Sequence, residues 1–136
     1  MTSIPARLRR LVIPRAGNRC EYCLLSQVGQ EATFHIDHIT PEAHGGETAE
    51  ENLALACVSC SLRKEARETG VDPETNKRVP LFHPRRDTWT KHFRWNGVDM
   101  EGITAKGRAT VLVLKMNRPS ILAIREEEIL RGRHPP

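Results

Sequence analysis

A chain of 136 residues holds one domain, or a compact metal-held module with an extension, but not two full domains. No stretch approaches the about 18 consecutive apolar residues of a membrane span, and Met1 to Arg19 lacks the apolar run of a signal peptide, so a cytoplasmic protein with no membrane association is expected. The 21 Lys plus Arg and 17 Asp plus Glu give a formal charge of +4; these charges are interspersed, which permits a polyanionic partner without demanding one.

Ser3 and Pro5 mark a helix start, the first as a side-chain cap and the second as a proline near the first turn. From Ala6 to Ile13, Leu8, Leu11 and Val12 fall on one side and Arg7, Arg9 and Arg10 largely on the other. Those arginines are a solvated face or a phosphate-contacting arm, and the pattern leaves both open. Pro14 interrupts or kinks the helix before the Gly17-Asn18 turn. Phe34, Ile36 and Ile39, with polar residues between, predict a short strand over Thr33 to Ile39 with a break near His38; alternation sends His35 and Asp37 to one face. Thr40 to Asn52 has loop composition, Leu53 to Ala56 a second short strand, and Ser61 to Glu68 a short helix.

Beyond Gly70, Asp72 to Asn76 is a turn and Val79 to Pro84 an irregular or edge segment bounded by proline. Trp89, Phe93 and Trp95, mixed with His92 and Arg94, read as a second core in preference to a nucleic-acid stacking surface. Thr104 caps a predicted helix through about Met116. A shorter helix follows Pro119, with Glu126 to Glu128 and Arg131 as its solvated face, and Gly132 to Pro136 is expected to fray.

The chemistry concentrates between Cys20 and Lys64. Two Cys-x-x-Cys turns, Cys20/Cys23 and Cys57/Cys60, each place two sulfurs within reach of one ion, and together they complete the four-thiolate sphere of structural zinc. Redox-active or merely buried thiols are the alternative; the former would react with alkylating agents in the native protein, whereas bound zinc protects them. Within the segment suspended between the turns, Asp37-His38 offers a carboxylate for a hard cation beside an imidazole that can take a proton from water.

In order along the chain, Cys20-Glu21-Tyr22-Cys23, Ile36-Asp37-His38-Ile39-Thr40-Pro41, Gly45-Gly46, Glu51-Asn52-Leu53, Cys57-Val58-Ser59-Cys60 and Lys64 resemble the zinc-stapled branch of the HNH endonucleases, the ββα-metal nucleases. Pro80-Leu81-Phe82, His92 to Trp95, Gly107 to Val111 and Met116 to Pro119 are similar to the tail of small stand-alone bacterial members. The resemblance implies an α+β fold: a ββα-metal core stapled by the four cysteines, with an N-terminal helix and a C-terminal β/α extension. The whole chain is then one nuclease domain with its core at about 18–70 and its extension at about 71–136.

By the same resemblance, His38 is the general base, Asp37 the first ligand of one catalytic cation, and Asn52 the residue that pins the loop and orients the base. The implied substrate is DNA. The motif's third position, His or Asn in the family, is Ser61 here. A serine hydroxyl suits a hard ion better than a soft one, which favours Mg²⁺ or Mn²⁺ at the catalytic position beside the structural Zn²⁺. Glu65, four residues on, would share a helix face with Ser61 and either completes the ligand set or is a solvated carboxylate. His35 can add a ligand, contact substrate or only support Asp37. His44, in the loop, reads as solvated. Arg63 and Lys64 either hold phosphate or serve solubility. A catalytically silent zinc-held nucleic-acid-binding module, disabled by Ser61, is the competing interpretation of the same residues.

Overall fold

A computed structural model describes residues 3–136. The elements run α1 (Ala6–Arg15), β1 (His35–His38), β2 (Leu53–Ala56), α2 (Val58–Lys64), β3 (Thr69–Val71), β4 (Arg78–Pro80), α3 (Trp89–His92), β5 (Phe93–Asn96), β6 (Asp99–Gly102), α4 (Ala105–Val113) and α5 (Pro119–Leu130). The α+β class holds: among the described residues, short helices accompany three antiparallel strand pairs, β1 with β2, β3 with β4 and β5 with β6. None of these helices is long and apolar enough to cross a membrane. The chain divides into two compact units, residues 3–68 with His83–Arg86, and Thr69–Phe82 with Asp87–Pro136.

In the first unit, α1 begins after Pro5 and has no side-chain cap, so Ser3 does not play that part. The helix also passes through Pro14 and ends one residue later, at Arg15, so the bond that the proline nitrogen cannot give falls in its last turn. Arg15 then ties the helix end down, donating from Nη1 to the Glu50 carbonyl at 2.8 Å and from Nη2 to the Leu53 carbonyl at 2.6 Å. Leu8 and Val12, one turn apart, are the buried pair, each contributing about 1.5–3 kcal/mol by burial, whereas Leu11 lies outward.

The register of β1 on β2 sets Ala56 opposite His35 and Ala54 opposite Asp37. Cross-strand partners share a face, so these two small residues leave the polar side of β1 uncrowded. The loop between the strands holds two short 3₁₀ turns, Glu42–His44 and Glu50–Asn52. Its glycine pair has a steric cause: Gly45 sits at φ +87°, and a Cβ on Gly46 would collide with the Thr40 carbonyl. α2 starts at Val58, three residues earlier than the sequence pattern predicts, because Cys57 caps it by accepting the Cys60 N–H on sulfur. It also stops early, at Lys64. Glu65 takes φ +46° and ψ −121°, a backbone region that side-chain-bearing residues rarely adopt.

In the second unit the 72–76 turn closes β3 onto β4 around the buried Asp72 carboxylate. Oδ1 accepts from the Glu74 N–H (3.1 Å) and Arg108 Nε (2.9 Å), and Oδ2 from the Thr75 hydroxyl (2.8 Å) and Arg108 Nη2 (3.0 Å). The Arg108 hydrogen bonds hold this carboxyl well below its ordinary range despite burial. A carboxyl depressed in the folded state stabilises above its unfolded pKa and loses that contribution as pH falls toward the folded value. Asp72→Asn should therefore lower the urea midpoint of this unit near neutral pH and narrow the difference from wild type in acid. An equal loss at pH 7 and pH 3 would contradict that assignment.

Trp89 packs on Phe93 (centroids 5.1 Å) and on Trp95 (5.6 Å), and Phe93 is 1 % exposed, so the aromatics do form a core. Thr104 caps α4 by accepting from the Gly107 N–H at 3.0 Å, and that helix ends at Val113, short of Met116. Three expectations for the C-terminal end are corrected. α5 is longer than α4, and Glu128 is not on a solvated face but buried against Arg133 at 2.7 Å. The tail is held as well: His134 is buried, bonded through Nε2 to the Gly97 carbonyl at 2.9 Å and set edge-on to Trp95. Contacts distant in sequence override the local polarity from which fraying is inferred.

Candidate active site and metal centre

The four cysteine sulfurs lie within 4.8 Å of one another, and none of the residues is more than 3 % exposed. Cys23 Sγ and Cys57 Sγ are 3.7 Å apart, close to the about 3.8 Å edge of a tetrahedron with Zn–S bonds near 2.3 Å. In each turn the second cysteine's N–H points at the first sulfur, at 3.4 Å for both Cys23 to Cys20 and Cys60 to Cys57. Burial pushes the Cys20 thiol up, while hydrogen bonds from Cys20, Cys23 and Cys60 pull Cys57 down. The quartet is thus arranged to bind a metal ion and fits structural zinc. Thiols this buried do not resemble the partly exposed, electropositive setting of redox cysteines. Glu21, inside the first turn, accepts the Leu55 N–H at 2.8 Å and pairs with Arg85, so this turn is bolted to β2 and to the 83–86 segment.

Beside this centre lies a cleft of about 780 Å³, whose lining includes Arg9, His35, Asp37, His38, Glu42, Ser61 and Glu65. The strand β1 supplies the first two-sided element: His35 and Asp37 point one way and His38 follows at the strand end. The His38 side chain is 13 % exposed. Its Nε2 is hydrogen-bonded to Thr48 Oγ1 at 2.8 Å, and its Nδ1 lies 3.9 Å from Glu42 Oε1. When Nε2 carries the proton and donates to Thr48, Nδ1 is the nitrogen left with a free lone pair.

Asn52 knits the loop that follows His38. Its Oδ1 accepts the Thr40 N–H at 2.8 Å, and its Nδ2 donates to the Thr40 carbonyl at 3.0 Å and the Glu47 carbonyl at 2.8 Å. His35 Nδ1 and Ser61 Oγ are hydrogen-bonded at 2.9 Å, which joins the strand and helix donors directly. Glu65, although it has left the helix, lines the same cleft as Ser61.

Lys64 departs from the expectation of a phosphate-facing side chain. It is 2 % exposed, with Nζ 3.2 Å from Asp37 Oδ2 and donating to the His38 carbonyl at 3.0 Å. Its helix position faces the strand pair, and the buried carboxylate supplies the counter-charge a buried ammonium requires. Arg63, by contrast, is half-buried and bonded through Nε to Ser59 Oγ at 3.1 Å; neither it nor Lys64 lines the cleft. His44 is exposed, 2.6 Å from Glu68, and stands apart from the cleft. Burial raises the Asp37 carboxyl, opposed by the Lys64 charge and the Tyr22 hydrogen bond.

Tyr22, Thr48 and Glu42 reach the site without having been singled out from the sequence. Tyr22 donates its hydroxyl to Asp37 Oδ2 at 3.0 Å and is 1 % exposed. The available signal was a tyrosine between metal-site cysteines, since a buried phenol requires a partner. A hydroxyl or carboxylate in a polar loop carries no such mark.

Compared with known proteins, residues 20–67 match the family model for the HNH endonucleases. The chain is also similar to Septu protein PtuB of Bacillus thuringiensis, 22% identical over 113 residues that cover 82% of this chain and 41% of that protein. The chain therefore spans about two fifths of the length of that curated relative. No solved structure matches.

Proposed function

We propose that the chain is a metal-dependent DNA endonuclease that hydrolyses phosphodiester bonds, a reading supported by the match of residues 20–67 to the HNH endonuclease model. The observation that carries this reading is the convergence of His35, Asp37, His38, Ser61 and Glu65 on one cleft beside the four-cysteine centre. In it, structural Zn²⁺ occupies the cysteine quartet, and Asp37 and Ser61, with Glu65 or His35, hold one Mg²⁺ or Mn²⁺. Oxygen donors with a single imidazole suit such ions. The bound cation supplies electrostatic stabilisation of the charge that develops on the phosphate and on the departing 3′-oxygen.

His38 does the proton chemistry. Nδ1 takes a proton from the attacking water while Thr48 holds Nε2. Arg9 lines the cleft wall and would meet a phosphate there, which supports the arm reading for that one α1 arginine. Asn52 acts at one remove, through the backbone of Thr40 and Glu47. Asn52→Asp keeps the size but turns an oxygen toward two carbonyl oxygens. We expect it to lower cleavage by about 100-fold through misplacement of the base, with metal content at the cysteines retained.

The test is nicking of supercoiled plasmid by the purified protein with Mg²⁺, Mn²⁺, Ni²⁺ or EDTA. Metal-dependent conversion to open circles supports the nuclease. Retained DNA binding with no cleavage under any metal would instead establish the second reading, a catalytically silent nucleic-acid-binding module. Ser61, at the position where the family carries His or Asn, is the observation that favours that alternative.

A further inference from the structure

Every recorded contact of the Asp37 carboxylate falls on one oxygen. Tyr22 donates to Oδ2 at 3.0 Å and Lys64 Nζ lies 3.2 Å from the same atom, whereas Oδ1 has no partner among the described residues. Asp37 is 9 % exposed yet lines the cleft, while Tyr22 and Lys64 are 1 % and 2 % exposed and do not. The two donors come from different elements, the first cysteine turn and α2, and Lys64 spends a second bond, 3.0 Å, on the carbonyl of His38.

From this we infer that Tyr22 and Lys64 are positioning residues that clamp Oδ2 so that Asp37 presents Oδ1 alone to the catalytic cation, coupling the cysteine centre to the cation site. The inference rests on the nuclease reading above. A carboxylate free to rotate would offer either oxygen or both. With Oδ2 occupied by a phenol and an ammonium, rotation breaks two buried hydrogen bonds, and a one-oxygen geometry is retained. The clamp also explains how a lysine and a tyrosine tolerate burial here: each finds its partner in the carboxylate whose orientation it sets.

Tyr22→Phe removes the hydroxyl of one clamp and keeps the ring. Lys64→Met removes the other together with the His38 carbonyl bond. The experiment is Mn²⁺ binding to the metal-loaded wild type and both variants, followed by electron paramagnetic resonance, with bound zinc and circular dichroism measured on the same samples. We expect Tyr22→Phe to keep its zinc and fold and to bind Mn²⁺ about 10–100-fold more weakly, the usual effect of removing the partner of a ligating carboxylate. Plasmid nicking by the variant should recover as Mn²⁺ is raised, a shift in the metal requirement that a general loss of stability would not produce. Mn²⁺ affinity equal to wild type in a folded Tyr22→Phe protein overturns the clamp and leaves the nuclease reading standing. Absence of Mn²⁺ binding by the wild type overturns the clamp together with the catalytic cation. Where Lys64→Met fails to fold, Tyr22→Phe decides alone.

Discussion

His38→Ala is expected to lose about 10²–10⁴-fold in the rate of plasmid nicking, the usual contribution of a positioned general base. The side chain is mostly enclosed, but its hydrogen bond to Thr48 is at the loop, so its removal should leave the strand pair and the cysteine centre in place. Zinc content, Mn²⁺ binding and DNA binding should match wild type, and only the chemical step should slow. A His38→Ala protein that nicks as fast as wild type, at equal purity and with EDTA-sensitive activity, would remove His38 from the role of base. A rate lost together with zinc would mean that the substitution had acted on folding.

Cys57→Ser is expected to cost the first unit its fold. The residue serves twice, as one of the four converging sulfurs and as the cap that starts α2. Serine can still cap, so the loss isolates the metal contribution. Structural zinc of this type supplies about 10–16 kcal/mol of binding free energy in small peptides, on the scale of or above the about 5–15 kcal/mol net stability of a whole domain. The variant should release its zinc to a chelator at once, and amides of β1 and β2 should exchange with solvent as in an unfolded chain. Retention of one equivalent of zinc with protected strands would show that three sulfurs are enough.

The parts of this site legible in the sequence are those where spacing alone determines geometry. A Cys-x-x-Cys turn closes on itself whatever surrounds it, strand alternation puts His35 and Asp37 on one side, and Leu53 to Ala56 has the strand limits expected of it. What local pattern does not show is the partner or backbone turn that folding gives each side chain. Lys64 reads as a soluble helix lysine until Asp37, from another element, is packed beneath it. Glu128 reads as solvated until Arg133 and the tail fold back. Glu65 lines the cleft with Ser61, but the helix that would align the two ends one residue before it, and its position accompanies an uncommon backbone conformation. The start of α2 is set by a cysteine that is a cap as well as a candidate ligand, a double use that spacing alone does not reveal.

The short segment His83–Arg86 is a reminder that a catalytic module and a stretch of sequence are different objects. The chain leaves the first unit after Glu68, returns for these four residues, and departs again at Asp87. Arg85 is the counter-ion of Glu21, which sits inside the first metal-binding turn and holds the Leu55 amide of β2. Anyone grafting this first unit onto another protein by cutting just after Gly70 would leave behind an arginine that neutralises a half-buried carboxylate beside the cysteine quartet. A transplant that respects the chemistry carries residues through Arg86, or supplies a new cation at Glu21 from the recipient scaffold.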